Sequence, residues 1–254
     1  MVTVRYMSDL HLELFPGFRG PVSVDEGHSC ETLVLAGDIG DPETEEYAAF
    51  VADCVSKFER VFVVVGNHEG YGQPSWEHAV DAARRAVEAA GATLLHRDRA
   101  VLSETNKIRI VGATLWSRID GPSAYEARCF MADYRRIGGL TGVGESNALH
   151  DVDVAWLRAE IASAEADGYR VLVVTHHAPS LVGTSHPKHA GGALNCAFAT
   201  DLDALVGRDS VAAWIFGHTH FSTTRGKLRS NQRGYADNPE EVRMFDPYRT
   251  VVLL

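Results

Sequence analysis

The chain has 254 residues, 45% of them hydrophobic, which is ample for one globular domain spanning 1–254 with a large core. Its formal charge of −10 excludes a surface built to hold nucleic acid or anionic lipid by bulk electrostatics, although bound cations would still present positive charge locally. The four cysteines (Cys30, Cys54, Cys129 and Cys196) form no C-x-x-C pair and read as free thiols; with no charged leader or long apolar segment, the expectation is a cytoplasmic protein with no membrane partner.

Strand and helix signals alternate through the first half. Residues 2–7 and 32–36 are short apolar runs that read as buried strands, as do 61–65. Between the latter two, Tyr47, Phe50, Val51, Cys54, Val55 and Phe58 recur at three- and four-residue steps, the period of a helix with one buried face. Asp41 is placed to cap that helix, Pro42 suits its first turn, and Glu43, Glu45 and Glu46 favour its positive end. A second helix has Pro74 near its start, Trp76, Ala79, Val80, Ala83 and Val87 on one face, and Gly91 as its stop. From Val101 the pattern turns β-like, with a strand at 108–113. A helix on Val154, Leu157 and Ile161 ends near Gly168 and feeds strands at 171–175 and 211–216, and residues 222–254 mix short strands with turns. This order predicts a mixed α/β sandwich. Segments 117–150 and 179–199 are long and Gly-rich and read as loop or lid insertions, while Gly17, Gly20 and Gly27 permit turns in the first loop.

Five short clusters each follow an apolar run: Asp9-Leu10-His11, Gly37-Asp38, Gly66-Asn67-His68-Glu69, Thr175-His176-His177 and Gly217-His218-Thr219-His220. They supply oxygen and imidazole nitrogen and no thiolate, a donor set suited to Mn²⁺, Fe²⁺ or Zn²⁺. Ligands drawn from several strand ends outnumber what one tetrahedral ion can use, so two divalent ions are expected. Asp9 and His11, like His218 and His220, are two residues apart and face the same side in extended backbone. Gly37 and Gly66 let backbone approach closely. Asp38 has two oxygens and suits a bridge between cations ~3.5–4 Å apart.

The series D-x-H, G-D-x-x-D, G-N-H-E, H-H and G-H-x-H, running from Asp9 to His220, resembles the calcineurin-like metallophosphoesterase superfamily. The resemblance implies two β-sheets packed face to face with helices on both outer sides, a four-layer α-β-β-α sandwich. It implies one ion held by Asp9, His11, Asp38 and His220, and another by Asp38, Asn67, His176 and His218. His68 resembles the catalytic histidine, a general acid for the leaving alkoxide while a metal-activated water attacks a small phosphoester substrate. Asp41 carries a second reading, as the Asp that orients this histidine in protein-phosphatase relatives. Those relatives follow it with an Arg that grips phosphate, whereas this chain has Pro42. A phosphodiester, with a single negative charge, is therefore the expected substrate; a monoester or pyrophosphate bond is the alternative, and a non-catalytic scaffold is disfavoured by the presence of Asp38, Asn67 and His68.

The remaining polar residues carry weaker expectations. His177 is placed beside a ligand or facing substrate. His186, Lys188, His189 and Asn195 form a polar, basic loop that either contacts substrate phosphate or is simply solvated. Arg135 and Arg136 read as helix-end salt bridges or lid contacts, and His28, His78, His96 and His150 as surface or core residues.

Overall fold

A computed structural model describes residues 1–14, 30–119, 121 and 123–254. The turns expected at Gly17, Gly20 and Gly27, and His28, lie outside the described residues. The first half alternates as its patterning requires: β1 (Val2–Met7), β2 (Thr32–Ala36), α1 (Glu45–Lys57), β3 (Arg60–Val64), α2 (Trp76–Ala89), β4 (Thr93–Leu94), β5 (Asp98–Ser103) and β6 (Ile108–Ala113). Three helices follow, α3 (Ser123–Phe130), α4 (Asp133–Arg136) and α5 (Val143–Ala166). The rest is β7 (Arg170–Thr175), α6 (Asn195–Phe198), α7 (Asp203–Val206), β8 (Val211–Phe216), β9 (Thr224–Arg225), β10 (Leu228–Ser230), α8 (Pro239–Met244) and β11 (Thr250–Leu253).

Two mixed sheets result, in the orders β11-β1-β2-β3-β4 and β5-β6-β7-β8-β10-β9, with parallel central strands and antiparallel edges at β11, β5 and β9. The pleat sorts each strand's residues between two cores. Val4, Tyr6, Val34, Ala36 and Val64 meet Ile108, Ile110, Leu172, Val174 and Ile215 between the sheets. Leu33, Leu35 and Val63 face outward onto α1 and α2 through Tyr47, Phe50, Val51, Trp76, Val80 and Ala83. On the opposite side, Val111, Val171, Val173, Trp214 and Phe216 pack on Leu157 and Ile161 of α5. Strands covered on both faces read as continuous apolar runs for this reason. The outcome is an α-β-β-α sandwich.

Three local expectations are corrected. The N-cap of α1 is Thr44, whose Oγ1 accepts from the Tyr47 N–H at 3.3 Å; Asp41 instead accepts from the Glu43 N–H at 3.0 Å in the turn before the helix, and Pro42 lies outside it. The segment 117–150 is mostly helical and not loop. Within it α5 begins eleven residues before Val154, because the buried stripe of its first half is Ser146, His150 and Asp153, which periodicity of apolar residues cannot register. Those polar groups have work: Asp153 accepts from Arg97 at 2.7 Å and from the Leu115 N–H at 2.9 Å, and His150 bonds the Trp116 carbonyl, pinning the backbone that extends β6 toward the site. No helix among the described residues is long and apolar enough to cross a membrane.

Candidate metal centre

All five clusters lie just past the C-terminal ends of β1, β2, β3, β7 and β8, so the parallel strands of both sheets deliver them to one edge of the sandwich. The chain turns abruptly there. Asp9 (φ 56°), His11 (φ 50°), Asp38 (φ 53°), His218 (φ 70°) and His220 (φ 50°) all adopt left-handed backbone. For residues other than glycine this is strained by roughly 1–3 kcal/mol each and persists only where the surroundings hold it. They do so here: the Asp9 N–H donates to the Gly37 carbonyl and the His11 N–H to the Asp38 carbonyl, both at 3.0 Å, while the Asp9 and Asp38 carboxylates accept from the His218 and His68 N–H groups at 2.9 and 2.8 Å. Gly37 (φ 88°) has no alternative, since a Cβ would strike the His176 ring; at Gly66 it would strike the Asp38 carboxylate.

The side chains gather as overlapping triads whose ligand atoms lie within 4.8 Å of one another: Asp9, His11 and His220; Asp38, His176 and His218; and His11, Asp38 and His68. Asp38 belongs to two of them. His11 and His220 point Nε2 at each other across 3.1 Å, and the outer nitrogens are engaged elsewhere: His11 Nδ1 with Glu13 at 3.2 Å, His220 Nδ1 with Glu241 at 2.9 Å, and His176 Nδ1 with the Ala36 carbonyl at 2.9 Å. His176 Nε2 faces both the Asn67 Oδ1 at 3.0 Å and the Asp38 carboxylate at 3.3 Å. His218 Nε2 is buried with no hydrogen-bond partner. Inward-facing Nε2 atoms among carboxylates, one of them orphaned, are what a divalent cation would satisfy.

Electrostatics agree with a site that favours positive charge. Burial alone would lower His176, but the Asp38 carboxylate beside it raises it to about 9. Burial also opposes ionisation of Asp38, and His176 and His68 overcome it, holding that carboxyl well below the usual range. His218 is pushed down by burial and then by its neighbour His176, which suits a neutral ligand.

Of the supporting groups, Glu69 belongs to the G-N-H-E motif, whereas Asp133 and Tyr71 carried no signal in the sequence. Asn67 presents Oδ1 inward because its Nδ2 donates to Asp133 at 2.7 Å, with the Tyr71 hydroxyl also on Asp133 at 3.1 Å. Glu69 accepts from the Gly66, Ile39 and Asp38 N–H groups at 2.7, 2.8 and 3.1 Å, tying two ligand turns together; burial and then the Asp38 charge still push its carboxyl up to about 7. Glu13 Oε1 meets both His11 Nδ1 and, at 2.9 Å, His68 Nδ1. Burial raises its carboxyl, yet these two bonds hold it at about 2. Only the alternation D-x-H-x-E hinted at Glu13. Glu13 is thus the carboxylate that meets His68 Nδ1, while Asp41, given a second reading as a partner of this histidine, bonds Gln73 at 3.3 Å.

A cavity of about 460 Å³ opens over Asp38, Asn67, His68, His218 and His220. Its far wall comes from the segments expected to be loops: Phe130, Met131, Lys188, His189, Leu194, Asn195 and Phe198. His186 is not among the lining residues; its Nδ1 accepts from the Lys188 N–H at 3.2 Å, capping a short 3-10 turn. His177 is buried behind the site, bonded to Ser117 Oγ at 2.8 Å and stacked on His218 with ring centroids 3.9 Å apart. Arg136 lies over the Tyr71 ring at 4.4 Å and Arg135 bonds the Cys129 carbonyl, the two residues for which a helix-end salt bridge or a lid contact was expected. His78 meets Glu43 at the surface, at 3.0 Å.

Comparison with known proteins agrees with this geometry. The calcineurin-like phosphoesterase family model matches residues 3–222. Uncharacterized protein L509 of Acanthamoeba polyphaga mimivirus is 24% identical over 277 residues, covering 98% of this chain and 95% of that protein. Among solved structures, a phosphopantetheinyl hydrolase from Mycobacterium tuberculosis shares the fold with a TM-score of 0.70 at 18% identity, over 98% of this chain and 95% of its own. A putative 5′-nucleotidase from Staphylococcus aureus gives 0.50 at 14% identity, over 92% of this chain and 49% of its own. With candidate ligands converging at the edge of such a sandwich, the chain belongs to the calcineurin-like phosphoesterase family and is a phosphoester hydrolase of that metal-dependent group.

Proposed function

We propose that this hydrolase cleaves a small phosphodiester with two divalent cations, Mn²⁺, Fe²⁺ or Zn²⁺, at the centre described above. Asp9, His11, Asp38 and His220 hold one cation; Asp38, Asn67, His176 and His218 hold the other. Bound there, the cations supply charge to the phosphoryl oxygens and acidify the attacking water. His68 stands at the cavity with Nδ1 fixed by Glu13, leaving Nε2 to give a proton to the leaving oxygen, a contribution of roughly 10²–10⁴ in rate. The pull of Asp38 and Glu13 on the ring, which outweighs burial, favours the protonated form a general acid needs.

The observation that carries the diester reading is the scarcity of cations opposite the ligands. Lys188 is the sole lysine or arginine among the described residues lining the cavity, and position 42 is proline. A dianionic monoester would demand more positive charge than a monoanionic diester, and Phe130, Met131, Leu194 and Phe198 suit a neutral or apolar arm on the second ester oxygen. The test is reconstitution with Mn²⁺ followed by kcat/KM on chromogenic monoester and diester substrates, cyclic nucleotides and a phosphopantetheinyl ester, the last suggested by the name of the structural neighbour. A diester preference of at least about tenfold is expected; a monoester preference overturns the reading.

A further inference from the structure

The family model ends at residue 222, but the chain returns to the site beyond it. Ser8 bridges Gln232, the Arg233 N–H donates to the Ser8 carbonyl at 3.2 Å, and the Gly234 N–H donates to the Asp9 carbonyl at 3.1 Å. This strap is therefore clamped along the turn that presents Asp9. Gly234 (φ 69°) admits no Cβ, which would run into Glu241. Glu241 in turn accepts from the Tyr235 N–H at 3.0 Å as well as from His220. Every backbone constraint converges on Tyr235, whose ring lies against those of His11 and His220, with centroids 4.8 and 4.5 Å away. Its hydroxyl faces the cavity 3.4 Å from His68 Nε2, the very nitrogen expected to serve the leaving group.

We propose that Tyr235 is a further catalytic residue, its hydroxyl donating a hydrogen bond to a phosphoryl oxygen of the substrate beside His68. The proposal rests on the reading of this centre as phosphoester-cleaving. No proton leaves the phenol: the water oxygen bonds to phosphorus as that water's proton passes to solvent, the ester P–O bond breaks, the leaving oxygen takes its proton from His68, which regains one from solvent, and the tyrosine hydrogen bond follows the charge on the oxygen it holds. Tyr235 sets a neutral donor beside His68, and position 42 is a proline that adds no cation. That choice selects for the singly charged diester, because a phenol stabilises one developing charge without the full cation a monoester requires.

Tyr235→Phe keeps the ring packed on His11 and His220 and removes only the hydroxyl. Loss of one hydrogen bond to a charged group predicts a 10- to 100-fold fall in kcat/KM on the wild type's preferred ester, with unchanged metal content and Tm. Tyr235→Leu removes the ring too, and should match that fall while also losing metal affinity. Wild-type turnover for the Phe variant with a defective Leu variant would reduce Tyr235 to packing and overturn the proposal. Tyr235→Arg should move the diester-to-monoester ratio toward monoesters, and no movement counts against the selective role. A wild type that prefers monoesters defeats the diester reading by itself, and leaves the Phe variant's loss on the preferred ester as a separate test of the hydrogen bond.

Discussion

The two halves of the ligand cluster are steadied by different means. Around Asp9, His11 and His220 the steering groups are carboxylates from outside the sheets: Glu13 in a 3-10 turn and Glu241 on α8, a helix of six residues. Around Asp38, Asn67, His176 and His218 they are core backbone and buried side chains: the Ala36 carbonyl at the end of β2, the Thr114 carbonyl accepting from both His176 and His177, Asp133 beneath Asn67, and the His177 ring stacked on His218. Carboxylate partners make an imidazole more basic and bind its cation more tightly, but only while their own segments stay in place. A backbone carbonyl in a parallel sheet moves only when the fold does. The second half is thus part of the core, and the first is assembled onto it.

That division breaks most completely at Asp38, which the proposal assigns to both cations. Asp38→Ala should weaken binding of both ions at least about 100-fold and take activity to background, read by elemental analysis and turnover. Full retention of the Asp9–His11–His220 ion in that variant would show the halves to be independent. A finer cut compares Glu241→Gln with Asp133→Ala. Each should lower one metal affinity about 10- to 100-fold, the first at His220 and the second at Asn67, whose amide loses the acceptor that keeps Oδ1 inward. Calorimetric Mn²⁺ titrations in which both variants shift the same binding step would dissolve the distinction.

The smallest expected effect is on stability and belongs to the core half. The His176 pKa is raised in the fold from 6.5 to about 9, so its contribution is complete below about 6.5 and is lost as pH rises through about 9. Asp38 is depressed, so its contribution is present above about 3.8 and fades as pH falls through its lowered value. Chelator-treated protein should therefore lose a few degrees of Tm between pH 7 and 10, about 2–4 °C for each kcal/mol in a chain of this size. Saturating Mn²⁺ should flatten that limb, because the cation replaces the proton on His176 and its binding at pH 7 releases it. A pH-independent Tm in the chelated protein would contradict the pairing of His176 with Asp38.

The legible part of this protein was whatever repeats locally. Buried strands are apolar runs, α1 and α2 carry three-to-four periodicity, and each ligand cluster closes such a run, so strand ends and candidate ligands could be named together. The first half of α5 escaped because its buried stripe is Ser146, His150 and Asp153, and α3 and α4 because Gly-rich surroundings mask short helices. Asp41 and Thr44 are both competent caps by composition, and only backbone geometry separates them.

By itself, the order of residues determined the sandwich class, the family pattern and the identity of the cluster at the strand ends, since hydrophobic period and donor chemistry are local properties. Tertiary structure alone decided who supports that cluster. Glu13 and Glu241 are far apart in the chain, yet each holds the outer nitrogen of a candidate ligand histidine, while Asp133 lies in a segment with no readable period. A carboxylate's role depends on which proton donor the fold sets beside it, and packing of the whole chain is what sets that neighbour.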